Sequence, residues 1–228
     1  MSKYTIVLFD ADATLFDFKR SEYEAVKDCL AFAGLPTTDD VIEKYSEIND
    51  GYWKKLERGE VTKNELFTAR WRDLIDYYGF EFDAQKIADT YPQKLAERVY
   101  LICGAEDICK KLYGKFRLYI ITNGFAKIQH GRFDQSVLKK YFESIFISEE
   151  IGAEKPSIDY FNAVATAIPD FDREKALIIG DSVTSDILGG IAAGIDTCWF
   201  NPNRKIAPDG MSITYIINDL SEIENILL

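Results

Sequence analysis

The sequence predicts a Rossmann-like α/β protein, in which a three-layer α/β/α core with a parallel sheet carries an inserted helical unit. Three observations support this fold class. The apolar run at residues 6–9 is continuous, as in a central parallel strand covered on both faces. Beyond residue 100, short apolar runs alternate with helical segments, which indicates right-handed crossovers between parallel strands. Between these regions, helical periodicity continues for about eighty residues.

The insertion begins with two helical segments. The first, residues 19–35, ends at Gly34 and has an apolar face made of Tyr23, Val26, Leu30 and Ala33. The second, residues 37–60, starts with Thr37 and Asp40, a pair that resembles a capping box. We therefore expect both helices to begin and end near these residues.

Two further helical segments complete the insertion. The third, residues 62–80, starts with the clearer capping pair Thr62 and Glu65 and ends at Gly79. The fourth, residues 83–99, contains Pro92, which predicts an interruption because proline lacks the amide proton that a helix needs.

The remaining segments form the rest of the core. We predict a core of residues 1–16 and 97–228, and a helical lid of residues 17–96. In order, the predicted core elements after the lid are a helix at 105–115, a strand at 117–123, a helical stretch at 131–142, a strand at 144–148, a helix at 157–168, a strand at 176–181, a helix at 184–194, strands at 196–201 and 214–218, and a short final helix.

Composition excludes several kinds of protein. Hydrophobic residues make up 47% of 228, which is enough to bury a core and argues against disorder. A net charge of -11 argues against a partner that is a nucleic acid polymer. The four cysteines have no paired spacing and the chain has one histidine, so neither a zinc site nor a disulfide framework is expected. No run reaches membrane-spanning length. We expect a soluble, cytoplasmic protein; its oligomeric state stays open.

Polar side chains follow three of the predicted strands, at the edge where open α/β sheets bind ligands. Lys155, in the sequence EKPS, adds a cation before a predicted helix. The polar residues are Asp10 and Asp12, with Thr14 shortly after, then Thr122 and Asn123, and finally Asp181 and Ser182. Ser182 or Thr184 could also simply cap the helix that follows.

Together these groups suit hydrolysis of a phosphomonoester. The oxygen ligands of Asp10, Asp12 and Asp181 suit Mg²⁺. One aspartate could attack phosphorus and the other could protonate the leaving oxygen and then activate water. Lys155 and Mg²⁺ would neutralise the phosphoryl oxygens, and the Thr122 hydroxyl and the backbone N–H groups around Asn123 would surround them.

The sequences DADATL, ITNG, EKP and GDSVTSD resemble motifs I to IV of the haloacid dehalogenase (HAD) superfamily of phosphohydrolases. The resemblance covers essentially the whole chain, and the insertion corresponds to that family's C1-type cap. It implies that Asp10 is the nucleophile, Asp12 the general acid and base, and Lys155 a charge-stabilising residue. It further implies phosphate binding by Thr122, and Mg²⁺ ligation by Asp181 with a carboxylate oxygen of Asp10 and the backbone carbonyl of Asp12. Asp186 would orient the metal's waters or Lys155, with Thr14 and Ser182 in support.

Longer phrases, ITNGFAKIQHGRF among them, resemble bacterial pyrimidine nucleotidases of the YjjG and YfnB type. This resemblance implies a nucleoside monophosphate as the substrate. The chain departs from those relatives at Ala13, where they commonly have an acidic residue. A sugar-phosphate phosphatase, a phosphomutase, a 2-haloacid dehalogenase and a non-catalytic phosphoester-binding module are the alternatives.

Two groups of residues need a plainer interpretation. His130 follows the second motif in a polar segment, so a surface or lid-facing position is expected instead of a catalytic one. Aromatic side chains of the insertion could stack on a base, but at helical spacing they more often lie in a core; they include Tyr52, Trp53, Trp71 and Tyr77.

Overall fold

The computed structural model describes residues 2–228 and contains a six-stranded sheet with the strand order β3-β2-β1-β4-β5-β6. Each neighbouring pair of strands is parallel, which confirms the predicted fold class. The strands are β1 Ile6–Asp10, β2 Arg117–Thr122, β3 Ser144–Ile147, β4 Ala176–Gly180, β5 Asp196–Phe200 and β6 Tyr215–Ile217.

Ten α-helices accompany the sheet within the described residues, and a π-helical turn, Val183–Ile187, precedes the ninth. They are α1 Phe18–Phe32, α2 Asp39–Glu57, α3 Lys63–Tyr78, α4 Ala84–Ala96, α5 Ala105–Leu112, α6 Ala126–Gln135, α7 Ser148–Ile151, α8 Ile158–Ala167, α9 Leu188–Ala192 and α10 Ile223–Leu227.

Strand β1 lies in the middle of the sheet, between β2 and β4, and all five of its residues are buried. Alternate side chains point to opposite faces: Val7 packs with helices α5 and α10, whereas Leu8 packs with α8. In the register of the sheet, Asp10 lies beside Ile121 of β2, and β4 ends just before Asp181. The three predicted motif ends therefore meet at one edge of the sheet.

Helices α1 to α4 pack around a hydrophobic cluster of their own, which Ile128 of α6 joins. This is the arrangement that a lid at 17–96 would produce, although the domain boundaries themselves stay a prediction. Trp71 is fully buried in this cluster, as expected. Tyr77 is 63% exposed, so its expected place in the core was wrong; the Lys44 ammonium lies 4.5 Å from its ring instead.

The helix boundaries confirm some expectations and correct others. The capping box of Thr62 and Glu65 is formed, and α3 ends at Gly79. The pair at Thr37 was wrong by one residue, because α2 is preceded by Thr38, which makes no side-chain capping bond. Helix α4 continues through Pro92 without interruption. Proline removes only one helical hydrogen bond, and burial of Pro92 against neighbouring helices favours the continuous helix.

A buried polar chain crosses the interior of the four-helix insertion. The Arg70 guanidinium donates from Nη1 to Oδ1 of Asn49 (2.7 Å), and Nδ2 of Asn49 donates to the Glu22 carboxylate (2.7 Å). The Ser46 hydroxyl also donates to Glu22. Burial raises the pKa of Glu22 to about 7, although its hydrogen bond from Ser46 opposes the shift.

This raised pKa predicts a pH dependence of stability. An unfolded Glu has a pKa of roughly 4.3, so the folded protein holds the Glu22 proton more tightly, and this stabilisation is lost as pH rises through about 7. We expect the wild type to lose about 3 kcal/mol more unfolding free energy than Glu22→Gln between pH 4.5 and 8. Urea unfolding at several pH values measures this, with the exposed Glu43→Gln as control. Equal pH slopes in wild type and Glu22→Gln would contradict the assignment.

Candidate active site

The loop after β1 turns sharply to present two aspartates. Two amides, those of Leu15 and Phe16, both donate to the carbonyl of Ala11, and Ala13 has a left-handed backbone with a φ of 62°. Asp10 is buried, whereas the side chain of Asp12 is 27% exposed. The loop therefore holds Asp10 at the end of the sheet and leaves Asp12 at the mouth of the site.

Lys155 joins two of the acidic groups. Its buried ammonium donates to Oδ1 of Asp10 (2.6 Å), to Oδ1 of Asp186 (2.6 Å) and to the carbonyl of Ile121 (3.0 Å). Burial acts to lower the pKa of Lys155, but the charges of Asp10 and Asp186 outweigh it and the pKa is raised. Lys155 is therefore a fixed cation at the edge of the sheet.

Asn123 positions Lys155. Its Nδ2 donates to the carbonyl of Lys155 (2.8 Å), and the amide of Lys155 donates to its Oδ1 (2.9 Å). Because both ends of the amide side chain bind the backbone of Lys155, contact with a phosphate from this residue would come from its backbone N–H. The loop of the second motif thereby holds the loop of the third.

Three carboxylates lie close together at this edge. Asp10, Asp181 and Asp186 each offer an oxygen, and the three atoms lie within 4.8 Å of one another. Burial raises the pKa of Asp10 well above its ordinary value, Lys155 opposes this, and the charge of Asp186 adds to it. Burial, and next the charge of Asp186, raise the pKa of Asp181 to about 7. One lysine does not balance three carboxylates, so these residues fit a hard divalent cation with oxygen ligands.

Asp186 is placed by the backbone around it. The amide of Ser182 donates to Oδ2 of Asp186 (3.1 Å), and a Cβ at Gly180 would lie only 2.3 Å from that oxygen. Gly180 is thus required for Asp186 to fold back against β4. The Ser182 hydroxyl accepts from the amide of Ser185 (3.2 Å), so of the two candidate caps, Ser182 and Thr184, it is Ser182 that caps the turn that follows. The indole of Trp199 donates to the carbonyl of Asp181 (2.9 Å).

Thr122 lies at the end of β2 with its side chain buried. Its Oγ1 accepts from the amide of Gly124 (3.1 Å), and its own amide donates to the hydroxyl of Tyr160 (3.1 Å). The hydroxyl proton of Thr122 is therefore available to a ligand oxygen. Thr14 is fully buried, and its hydroxyl has no hydrogen-bond partner within residues 2–228.

The carboxylate of Asp12 lies outside the cluster formed by those of Asp10, Asp181 and Asp186. Metal ligation by the backbone carbonyl of Asp12, which the family resemblance implies, stays a prediction. Asp12 accepts hydrogen bonds from Nε2 of Gln129 (2.6 Å) and from Nη2 of Arg132. Arg132 is fully buried, and its attraction for the Asp12 carboxylate accounts for this orientation.

Sequence reasoning missed Gln129 and Arg132. They are three residues apart on α6, so they lie on the same helical face, and this spacing was the available signal. His130 lies outside this group: it is partly exposed and its Nε2 is 2.7 Å from Glu150, in agreement with the expected surface position.

Comparison with known proteins identifies the family. The sequence profile described as haloacid dehalogenase-like hydrolase matches residues 7–200. YfnB of Bacillus subtilis, a HAD-hydrolase, is 40% identical over 227 residues, which cover 100% of this chain and 97% of the relative. The chain belongs to the haloacid dehalogenase-like hydrolase family. The predicted resemblance is confirmed, and the protein is a hydrolase of this family.

Two further comparisons extend this result. The pyrimidine 5'-nucleotidase PynA of Streptococcus pneumoniae is 38% identical over 202 residues, covering 88% of this HAD-like hydrolase and 85% of PynA. The crystal structure of YfnB bound to magnesium has a TM-score of 0.94 and 41% identity, with 98% of each chain covered. Across residues 2–228, the HAD-like hydrolase has no helix long and apolar enough to cross a membrane.

The carboxylate cluster predicts a response to divalent cations. Bound Mg²⁺ should stabilise the wild type by about 2.7 kcal/mol at a hundredfold excess over its dissociation constant. Asp181→Asn removes one charged ligand and should lose most of this stabilisation, whereas Asp209→Asn makes the same change at an exposed site and should keep it. Thermal unfolding with Mg²⁺ and with EDTA measures the effect. A full Mg²⁺ response in Asp181→Asn would contradict the site.

Proposed function

We propose that this hydrolase is a Mg²⁺-dependent phosphomonoesterase that removes phosphate from pyrimidine nucleoside monophosphates through an aspartyl-phosphate on Asp10. The observation that supports it most is the joint placement of Asp10, Lys155 and Thr122 at one edge of the sheet, where three carboxylates lie close together. A phosphoryl group there would meet a nucleophile, a fixed positive charge and a hydroxyl donor at once.

The first chemical step forms the intermediate. A carboxylate oxygen of Asp10 attacks phosphorus, and the bond between phosphorus and the ester oxygen breaks. Asp12, which has to be protonated at the start of this step, gives its proton to the departing oxygen, which leaves as an alcohol. Lys155 neutralises the negative charge of the phosphoryl oxygens, and Thr122 donates its hydroxyl proton to one of them.

The second step releases phosphate. Asp12, now a carboxylate, takes a proton from water as that water attacks phosphorus, and the bond from phosphorus to Asp10 breaks. Inorganic phosphate leaves and Asp12 again holds a proton. Mg²⁺ held by Asp10, Asp181 and the backbone carbonyl of Asp12, with Asp186 beside them, would supply additional neutralisation of the phosphoryl charge when bound.

The nucleotide assignment rests on relatives. PynA is a pyrimidine 5'-nucleotidase, and so is YjjG of Escherichia coli, which is 30% identical over 225 residues and covers 99% of this chain and 98% of YjjG. A 2-haloacid dehalogenase needs no metal and no group that protonates an ester oxygen, so Asp12 and the acidic cluster favour the phosphatase. The four cysteines are free thiols, which suits the cytoplasmic location we propose.

Phosphate release from a substrate panel tests the proposal. We expect Mg²⁺-dependent release that is fastest with UMP, dUMP and dTMP, slower with AMP and sugar phosphates, and abolished by EDTA. Fastest release from a sugar phosphate would overturn the nucleotidase assignment and leave the mechanism intact. Release that EDTA does not affect would contradict the metal requirement.

Replacement of the nucleophile should abolish turnover. Asp10→Asn keeps the volume of the side chain but removes the attacking oxygen, so kcat should fall at least about a thousandfold. Circular dichroism checks that the variant is folded, and Asp209→Asn serves as the matched control. Substantial activity in purified Asp10→Asn would contradict the proposed mechanism.

Arg132 should act by positioning Asp12. If Asp12 protonates the leaving oxygen, Arg132→Met should lower the rate of the first chemical step, measured in single-turnover experiments, about tenfold or more for UMP, whose leaving alcohol needs a proton. It should lower that rate less than about threefold for 4-nitrophenyl phosphate, whose leaving group needs none. Lys127→Met, at an exposed position of the same helix, is the control. An equal loss with both substrates would show that Arg132 is needed only for folding.

A further inference from the structure

A narrow cleft with about 20 Å³ of free space lies between the four-helix insertion and the core, directly beside Asp12. A larger group would enter it where the insertion moves away from the core. Four of the ten residues that line the cleft are aromatic: Phe18, Trp53 and Tyr91 come from the insertion and Phe125 comes from the loop after β2. Asp12 is the group that would protonate the leaving oxygen, so the leaving group of a substrate has to extend into this space. The cleft is therefore where the identity of the leaving group would be recognised.

Arg70 is the charged residue of the insertion that lines this cleft. It is 2% exposed, and only its Nη1 is used, in the hydrogen bond to Asn49. Its Nε and Nη2 have no hydrogen-bond partner in the described part of the chain. The ring of Tyr91 lies 4.8 Å from the guanidinium carbon and offsets part of the cost of burial, but it does not replace two missing acceptors.

The buried hydrogen bonds among Arg70, Asn49 and Glu22 hold Arg70 in place on the side away from the cleft. Asn49 accepts from Arg70 and donates to Glu22, so the guanidinium is tied to the interior of the insertion by one edge. A guanidinium is planar and its donors are fixed relative to one another, so anchoring one edge also orients the others. Two buried donors are thereby left unpaired beside the cleft.

The aromatic walls suit a flat ring. The Trp53 and Phe125 rings, one from each side of the cleft, pack edge to face with their centroids 6.0 Å apart and an interplanar angle of 69°. Trp53 is only partly buried, so part of its surface is open to solvent. A planar group that entered here could stack on Trp53 and reach Arg70 with its edge.

We propose that Arg70 donates hydrogen bonds to the ring carbonyl oxygens of a pyrimidine base, while Trp53 stacks on the face of that base. This inference rests on the proposed nucleotidase function and names the residues that would select the base. A guanidinium has donors and no acceptor. Uracil, thymine and cytosine each carry a carbonyl oxygen on the ring, whereas adenine carries none. A group with donors alone at this position therefore favours pyrimidines over adenine.

Kinetics on matched substrates tests the proposal. UMP and ribose 5-phosphate share the phosphoester and the ribose, but only UMP carries a base. Arg70→Met should lower kcat/KM for UMP roughly tenfold to a hundredfold, and should change kcat/KM for ribose 5-phosphate less than about threefold. Arg72→Met, an exposed arginine on the same helix, should leave both values unchanged.

The outcomes separate this inference from the proposed function. Equal losses on both substrates in Arg70→Met, or no loss on either, would overturn the role of Arg70 while the wild-type preference for UMP still supports the nucleotidase. A wild type that hydrolyses no nucleotide would overturn both. If Arg70→Met does not fold, Trp53→Leu provides the second test, because Trp53 is only partly buried. It should also lower kcat/KM selectively for UMP, and an equal effect on ribose 5-phosphate would overturn the proposal.

Discussion

The buried ammonium group of Lys155 is the interaction on which the rest of the site depends. Carboxylates at the end of a central strand are costly to bury, and Lys155 offsets this cost by binding Asp10 and Asp186 together. Asn123 fixes the backbone of Lys155, so the loops after β1, β2 and β4 are joined through a single side chain. The single positive charge of Lys155 does not neutralise the three carboxylates of the cluster. A divalent cation would balance the remaining negative charge.

Helix α6 connects the acidic site to the helical insertion. On one face, Phe125 at its start and Ile128 pack with the insertion's hydrophobic cluster. On another, Gln129 and Arg132 bind the carboxylate of Asp12. A movement of the insertion that displaced α6 would therefore also displace the partners of Asp12. Helix α6 therefore contributes both to the cleft beside Asp12 and to the orientation of the Asp12 carboxylate.

Local sequence patterns predicted the parts of the structure that local physics determines. Apolar runs that end in polar residues located the strands and placed Asp10, Thr122 and Asp181 at one edge, because parallel strands share a carboxyl end. The partners of Asp12 were not predicted, because Arg132 is 120 residues away and only tertiary packing brings the two together. Arg70 was missed for the same reason. Pro92 and Thr37 were misjudged where packing or a neighbouring residue outweighed a local rule.

The stereochemistry at phosphorus is the sharpest test of whether the phosphoryl group passes through a covalent intermediate on Asp10. The substrate would be a uridine monophosphorothioate made chiral at phosphorus with an oxygen isotope, hydrolysed in water of a third isotope with Mg²⁺ present. Two successive in-line displacements each invert the configuration, so the account predicts net retention in the thiophosphate that is released. Net inversion would mean that water attacks the substrate directly, and would contradict the account.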